Sequence, residues 1–114
     1  RDFIYVKDVV AVIGWMLESM LGKKWASTNN GLYNLGTGEA RSFIDLVRAT
    51  FDGLAMDPNI EFIDMPMDIR DTYQYFTEAS MEKLKAAGYK AGFTSLEDGV
   101  KDYVVHYLQK GLIY

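Results

Sequence analysis

A chain of 114 residues, 49% hydrophobic and 25% charged, has the make-up of one soluble globular domain with room for a modest core. Its net charge of −4 comes with scattered basic residues, none in a run longer than Lys23-Lys24, which excludes the basic stripe of a nucleic-acid binder but not one phosphorylated small molecule held by an Arg or two. Cys is absent, so disulfide and thiolate chemistry are excluded and a reducing cytoplasm is expected; no apolar run nears the roughly 20 residues of a membrane span.

The opening run, Arg1 to Val10, lacks an initiator Met and reads as the middle of a larger α/β protein. Residues 2–6 are rich in Phe, Ile, Tyr and Val and predict a strand. Asp8 is placed to cap a helix running to about Leu21. Val9, Ile13, Met16, Leu17 and Met20 form the apolar stripe of that helix, with Trp15 on the opposite side as a candidate contact surface. Residues 22–30 read as a loop, and Leu32 to Leu35 as a short strand ended by Gly36-Thr37-Gly38. Ser42-x-x-Asp45 starts a second helix that Asp57-Pro58 stops near Met56. Residues 60–64 suggest a third strand, and residues 67–77 an irregular stretch of charges and aromatics. Ala79 to Ala87 predicts a short helix with Gly88 as terminator. Ser95-x-x-Asp98 then opens a last helix with Leu96, Val100, Tyr103, Val104 and Tyr107 along its apolar face. The pattern is α/β with an incomplete parallel sheet, since three short strands are too few to stand alone. Strand edges left open in this way predict self-association or loose folding.

The residues that carry chemistry are few. Gly36-Thr37-Gly38 lacks the third Gly of a nucleotide-binding loop and reads as a tight turn. No Tyr-x-x-x-Lys acid/base pair is present: Tyr103 and Tyr73 each have the wrong residue four places on. His106, the single His, lies off the apolar stripe of its helix, and Asp64, Asp68 and Asp71 lack regular ligand spacing, so neither a His-based triad nor a metal site is expected. Arg1 and Arg70 stand at edges between extended segments and loops, and a guanidinium fork suits a diphosphate. Tyr73 and Tyr75 add aromatic surface able to stack on a sugar or base, although residue type alone places them in the core.

Three runs sharpen this reading. Arg1-Asp2-Phe3-Ile4-Tyr5-Val6-x-Asp8-Val9 and Gly31-x-Tyr33-Asn34-Leu35-Gly36-x-Gly38 with Ser42 resemble segments of extended short-chain dehydrogenases acting on nucleotide sugars. The third, Met65-Pro66-x-Asp68-Ile69-Arg70-x-x-Tyr73-Gln74-Tyr75-Phe76-Thr77-x-Ala79, precedes Lys83-Leu84-x-x-Ala87-Gly88-Tyr89 and is similar to the ADP-L-glycero-D-manno-heptose 6-epimerase family. The resemblance covers the whole chain as the C-terminal third of such an enzyme. It implies that residues 1–114 are one substrate-binding region of a Rossmann-type fold whose N-terminal cofactor domain lies upstream. It implies transient oxidation and re-reduction at C6 of an ADP-heptose by NADP, without metal, for the lipopolysaccharide inner core. The NADP loop and the catalytic Tyr/Lys pair would lie outside this chain, which alone would be inactive. The resemblance also implies a homo-oligomer, a pentamer. It makes Arg1 and Tyr73 substrate contacts, Arg1 on the diphosphate, with Arg70 in their neighbourhood. Lys7 departs from the family pattern, which favours a small residue there. The alternatives are another extended nucleotide-sugar epimerase or dehydratase, and a non-catalytic sugar-nucleotide binding module.

Overall fold

A computed structural model describes residues 1–112. Five α-helices follow in chain order: α1 (Val6–Leu21), α2 (Phe43–Gly53), α3 (Met67–Arg70), α4 (Glu82–Ala86) and α5 (Leu96–His106), with single 3-10 turns at Ser27–Asn29 and Leu108–Lys110. The two Ser-x-x-acid signals act as read. Ser42 and Asp45 form a complete capping box on α2, and Ser95 Oγ accepts from the Asp98 N–H on α5 at 3.1 Å. α2 stops at Gly53, short of the expected Met56, because Ala55 turns left-handed (φ 54°) and the Met56 N–H closes back on the Phe51 carbonyl at 3.0 Å. α4 starts three residues later than expected, since the Ala79 N–H is donated to Asp2 instead of to a helix. Gly88 ends that region at φ 108°, a conformation other residues avoid.

α1 departs from expectation twice. It begins at Val6, before Asp8, and Asp8 does not cap it. That carboxylate accepts from the Thr94 N–H and hydroxyl, both at 2.8 Å, so it fixes the entry to α5. The buried face is also rotated. Val12 is 2% exposed and Trp15 packs edge-on against Tyr89 and Trp25, while Ile13, Leu17 and Met20 lie on the surface. Lys7, Asp8, Glu18 and Ser19 share one side of α1, so its period points to the opposite, Ile13 face. The aromatic partners of Trp15 made the choice.

None of the three expected strands forms among the described residues, which are helical with extended connections. Among the described residues one antiparallel bridge, Asp2 to Ala40, is the single strand pairing. Leu32 is 93% exposed, and Phe62 and Ile63 are each 83% exposed. Apolar, β-branched runs favour extension, but a strand also needs a neighbour to take its N–H and C=O groups. The incomplete parallel sheet is therefore not seen here.

Two small cores hold the chain. Val12, Met81, Leu84 and Tyr89 pack α1 against α4. Ala49 and Val104 pack α2 against α5, where Gly99 lies so close to the Tyr5 ring that a Cβ would meet it at 3.2 Å. The radius of gyration is 17.6 Å, against about 13 Å for a compact domain of this length. Little apolar surface is covered for a chain of this size.

A charged clasp ties the first segment to α5. Asp102 accepts from the Tyr5 hydroxyl and from Lys7 Nζ at 2.7 Å, and His106 Nδ1 lies 2.9 Å away. The Lys7 hydrogen bond, followed by that of Tyr5, lowers the Asp102 pKa to about 2. A carboxyl whose pKa falls on folding stabilises the fold above its unfolded value and loses that contribution as pH drops through the folded one. Thermal stability should therefore fall between about pH 4 and pH 2 in part through this clasp. Asp102→Asn should flatten that part of the profile, and an unchanged slope in melting temperature against pH would remove the clasp from the account.

Candidate functional site

Three segments meet at the N-terminal edge: Arg1-Asp2, the turn Gly36-Thr37-Gly38, and the run from Tyr73 to Ala79. The backbone of Arg1 is held on both sides by Arg41, whose carbonyl accepts from the Arg1 nitrogen at 2.6 Å and whose N–H donates to the Arg1 carbonyl at 2.8 Å. Arg41 in turn grips Glu97 at 2.6 Å and Asp45 at 3.4 Å, which joins this edge to the N-termini of α2 and α5.

The Arg1 guanidinium lies over the Tyr73 ring, 5.5 Å from its centroid, and Tyr75 meets Tyr73 edge-on at 5.1 Å. A cation on an aromatic face at this range contributes about 0.5–2 kcal/mol. Arg1 Nη1 is buried and has no hydrogen-bond partner in the protein. A buried donor of a charged group left unpaired costs more than about 1–3 kcal/mol. Among the described residues Arg1 takes part in no ion pair.

Asp2, next to Arg1, is engaged elsewhere. Its carboxylate accepts from Thr37 N–H at 2.7 Å, Thr37 Oγ1 at 2.6 Å, Gly38 N–H at 3.0 Å and Ala79 N–H at 3.0 Å. Burial opposes the charge, yet the bonds from Thr37, Ala79 and Gly38 outweigh it and hold the carboxyl below the usual Asp value. Gly36 is buried against the same carboxylate, and a Cβ there would stand 2.8 Å from Asp2 Cγ. The Gly-Thr-Gly turn is thus an anion cradle whose anion is internal. A cofactor pyrophosphate does not fit it, because the Thr37 and Gly38 N–H groups are already used. Asp2 escaped the reading of the sequence. Its one signal was a carboxylate inside an apolar extended run, which must find donors if it is to be covered.

The structure brings Arg1 and Tyr73 together. Arg70 ends α3 exposed, with Nη2 3.5 Å from the Met65 carbonyl, and no hydrogen bond or ring contact joins it to Arg1 or Tyr73. Tyr75 is largely exposed rather than part of a core. Lys83 faces the Tyr33 ring at 4.5 Å, but its ammonium donates to the Leu32 carbonyl at 2.7 Å, a structural tie. His106 is engaged with Asp102. A groove of about 430 Å³ lies elsewhere, between Tyr5, Leu46 of α2 and Val100 of α5. Its walls are almost wholly apolar, which suits packing better than a charged sugar nucleotide. A polar recess of about 330 Å³ beside Asp2, Asn34, Thr77 and Glu78 adjoins the cradle.

No family model matches the chain. Curated relatives do. A protein named ADP-L-glycero-D-manno-heptose-6-epimerase from Nitratidesulfovibrio vulgaris strain DP4 is 51% identical over 108 residues, which are 95% of this chain and 31% of that protein. Its namesake from the Hildenborough strain gives the same figures, and one from Fusobacterium nucleatum subsp. nucleatum is 47% identical over 116 residues, 96% of this chain and 33% of the relative. The chain thus spans about a third of the length of these relatives. Over nearly every residue, at 47–51% identity, this chain is thus similar to a C-terminal third of proteins named ADP-L-glycero-D-manno-heptose-6-epimerase.

Proposed function

We propose that this chain is the C-terminal substrate-binding region of a cytoplasmic epimerase that inverts C6 of ADP-D-glycero-D-manno-heptose for the lipopolysaccharide inner core. The observation that carries the reading is the Arg1 guanidinium laid on Tyr73 with a buried, unpaired Nη1. That arrangement offers fixed donors to a diphosphate and an aromatic face beside it. In this reading Arg1 binds the diphosphate, Tyr73 orients both Arg1 and the substrate, and neither moves a proton. Arg70, three residues before Tyr73, is the third substrate contact of this reading. NADP, held by a Rossmann domain outside this chain, would supply reversible hydride transfer. The intact enzyme would be a homo-oligomer, a pentamer.

A second observation favours a missing partner domain. Val6, Val10, Ile13, Leu17 and Met20 form an exposed apolar stripe along α1 at alternating spacings of four and three. Such a seam is covered in a stable protein. The full-length polypeptide should epimerise the ADP-heptose and retain NADP, while this chain alone should do neither; α1 amides should exchange more slowly in the former. Micromolar NADP binding by this chain in a calorimetric titration would show the cofactor site to be misplaced. Equal α1 exchange in both would remove the stripe from the domain contact.

A further inference from the structure

Within the proposed substrate site, and resting on that reading, we infer that Asp2 is a positioning residue for Arg1: its carboxylate sets where the guanidinium stands by binding together the segments that form the site. Each of its four hydrogen bonds crosses between segments. Two go to Thr37 and one to Gly38 on the turn, and the fourth goes to Ala79, six residues beyond Tyr73. The turn and the Tyr73 run therefore share one anchor, and that anchor is covalently next to Arg1. The fit is tight, since a Cβ on Gly36 would lie 2.7 Å from the Ala79 Cβ. With its lone pairs spent on these donors, the carboxylate does not draw the Arg1 guanidinium into an internal ion pair, and Nη1 stays unmatched. A neighbour that both fixes Arg1 and leaves it unpaired is what a diphosphate site needs, because a pre-placed donor loses less freedom on binding.

A double-mutant cycle in the full-length enzyme tests this. Asp2→Asn keeps the shape but turns an amide N–H₂ towards N–H donors. It should raise KM for the nucleotide sugar by about tenfold with kcat little changed. On an Arg1→Ala background the same substitution should add nothing further to KM. Thr37→Val, which removes one hydroxyl donor and keeps the side-chain shape, should raise KM roughly threefold and show the same lack of additivity, so the cycle survives a poorly folding Asp2 variant. A KM effect of Asp2→Asn or Thr37→Val that persists undiminished without Arg1 overturns the inference, as does a lowered melting temperature with normal KM. If Arg1→Ala itself leaves KM unchanged, the substrate-site reading fails first, and the two failures are told apart by that single variant.

Discussion

Arg1→Ala in the full-length polypeptide should raise KM for the nucleotide sugar by about 10- to 150-fold and leave kcat close to normal, because a charge-assisted hydrogen bond is worth about 1.5–3 kcal/mol. The size of the effect follows from what surrounds the side chain. Its Nη1 is buried without an acceptor, so the fold has already met the cost of desolvating it. On the proposed reading a bound diphosphate would collect the full gain. Tyr73 divides the prediction further. Its ring supports the guanidinium at 5.5 Å, and Tyr73→Phe preserves that support. Tyr73→Phe should therefore lose only what the hydroxyl gives to substrate, about 2- to 10-fold in KM. Tyr73→Leu removes the ring as well and should approach the Arg1→Ala phenotype. If both residues served the fold alone, the variants would melt earlier with KM near normal; measuring the two quantities together decides between these accounts.

The second large effect concerns two glycines with opposite expected signs. Gly36→Ala in this chain would set a Cβ 2.7 Å from the Ala79 Cβ and 2.8 Å from Asp2 Cγ, where nothing flexible can yield. Overpacking alone costs about 1–3 kcal/mol. The shift it forces would also loosen the bonds to Thr37, Gly38 and Ala79, each of the charge-assisted kind worth about 1.5–3 kcal/mol. A loss of about 3 kcal/mol or more is expected, a large share of the 5–15 kcal/mol that holds an ordinary domain. Gly14→Ala is the contrast. It sits inside α1 with nothing within 4 Å of its would-be Cβ, so the exchange should add up to about 1 kcal/mol of helix propensity. Urea denaturation of the two variants reads both. A Gly36→Ala protein as stable as the parent would mean that the Asp2 cradle is looser than its distances indicate.

Local signals were legible in the sequence wherever the physics was local. Ser42 and Ser95 marked two helix starts, because a capping hydroxyl needs only a backbone N–H three residues on. Gly88 marked a stop, because only glycine takes its φ of 108° cheaply. Motif wording carried the family, and with it the expectation that Arg1 and Tyr73 share a site; their wording says nothing of distance, and the contact between them exists only once residues 1 and 73 are folded together. Everything that depended on a distant partner was decided by the tertiary structure. Trp15 turned inward because Tyr89 and Trp25 were there to meet it, against the helical period of α1. Asp8 left its own helix for Thr94, and Asp102 became a clasp because Tyr5 and Lys7 came to it from the other end of the chain. Residues 2–6, 32–35 and 60–64 have the composition of strands, yet a strand is a property of two segments, and no neighbour among the described residues supplies the ladder. The Gly-Thr-Gly turn could be read from sequence as a turn. That its N–H groups close on the carboxylate of Asp2, 35 residues earlier at Thr37, and so leave Arg1 unpaired at the edge of the site, follows from the fold alone.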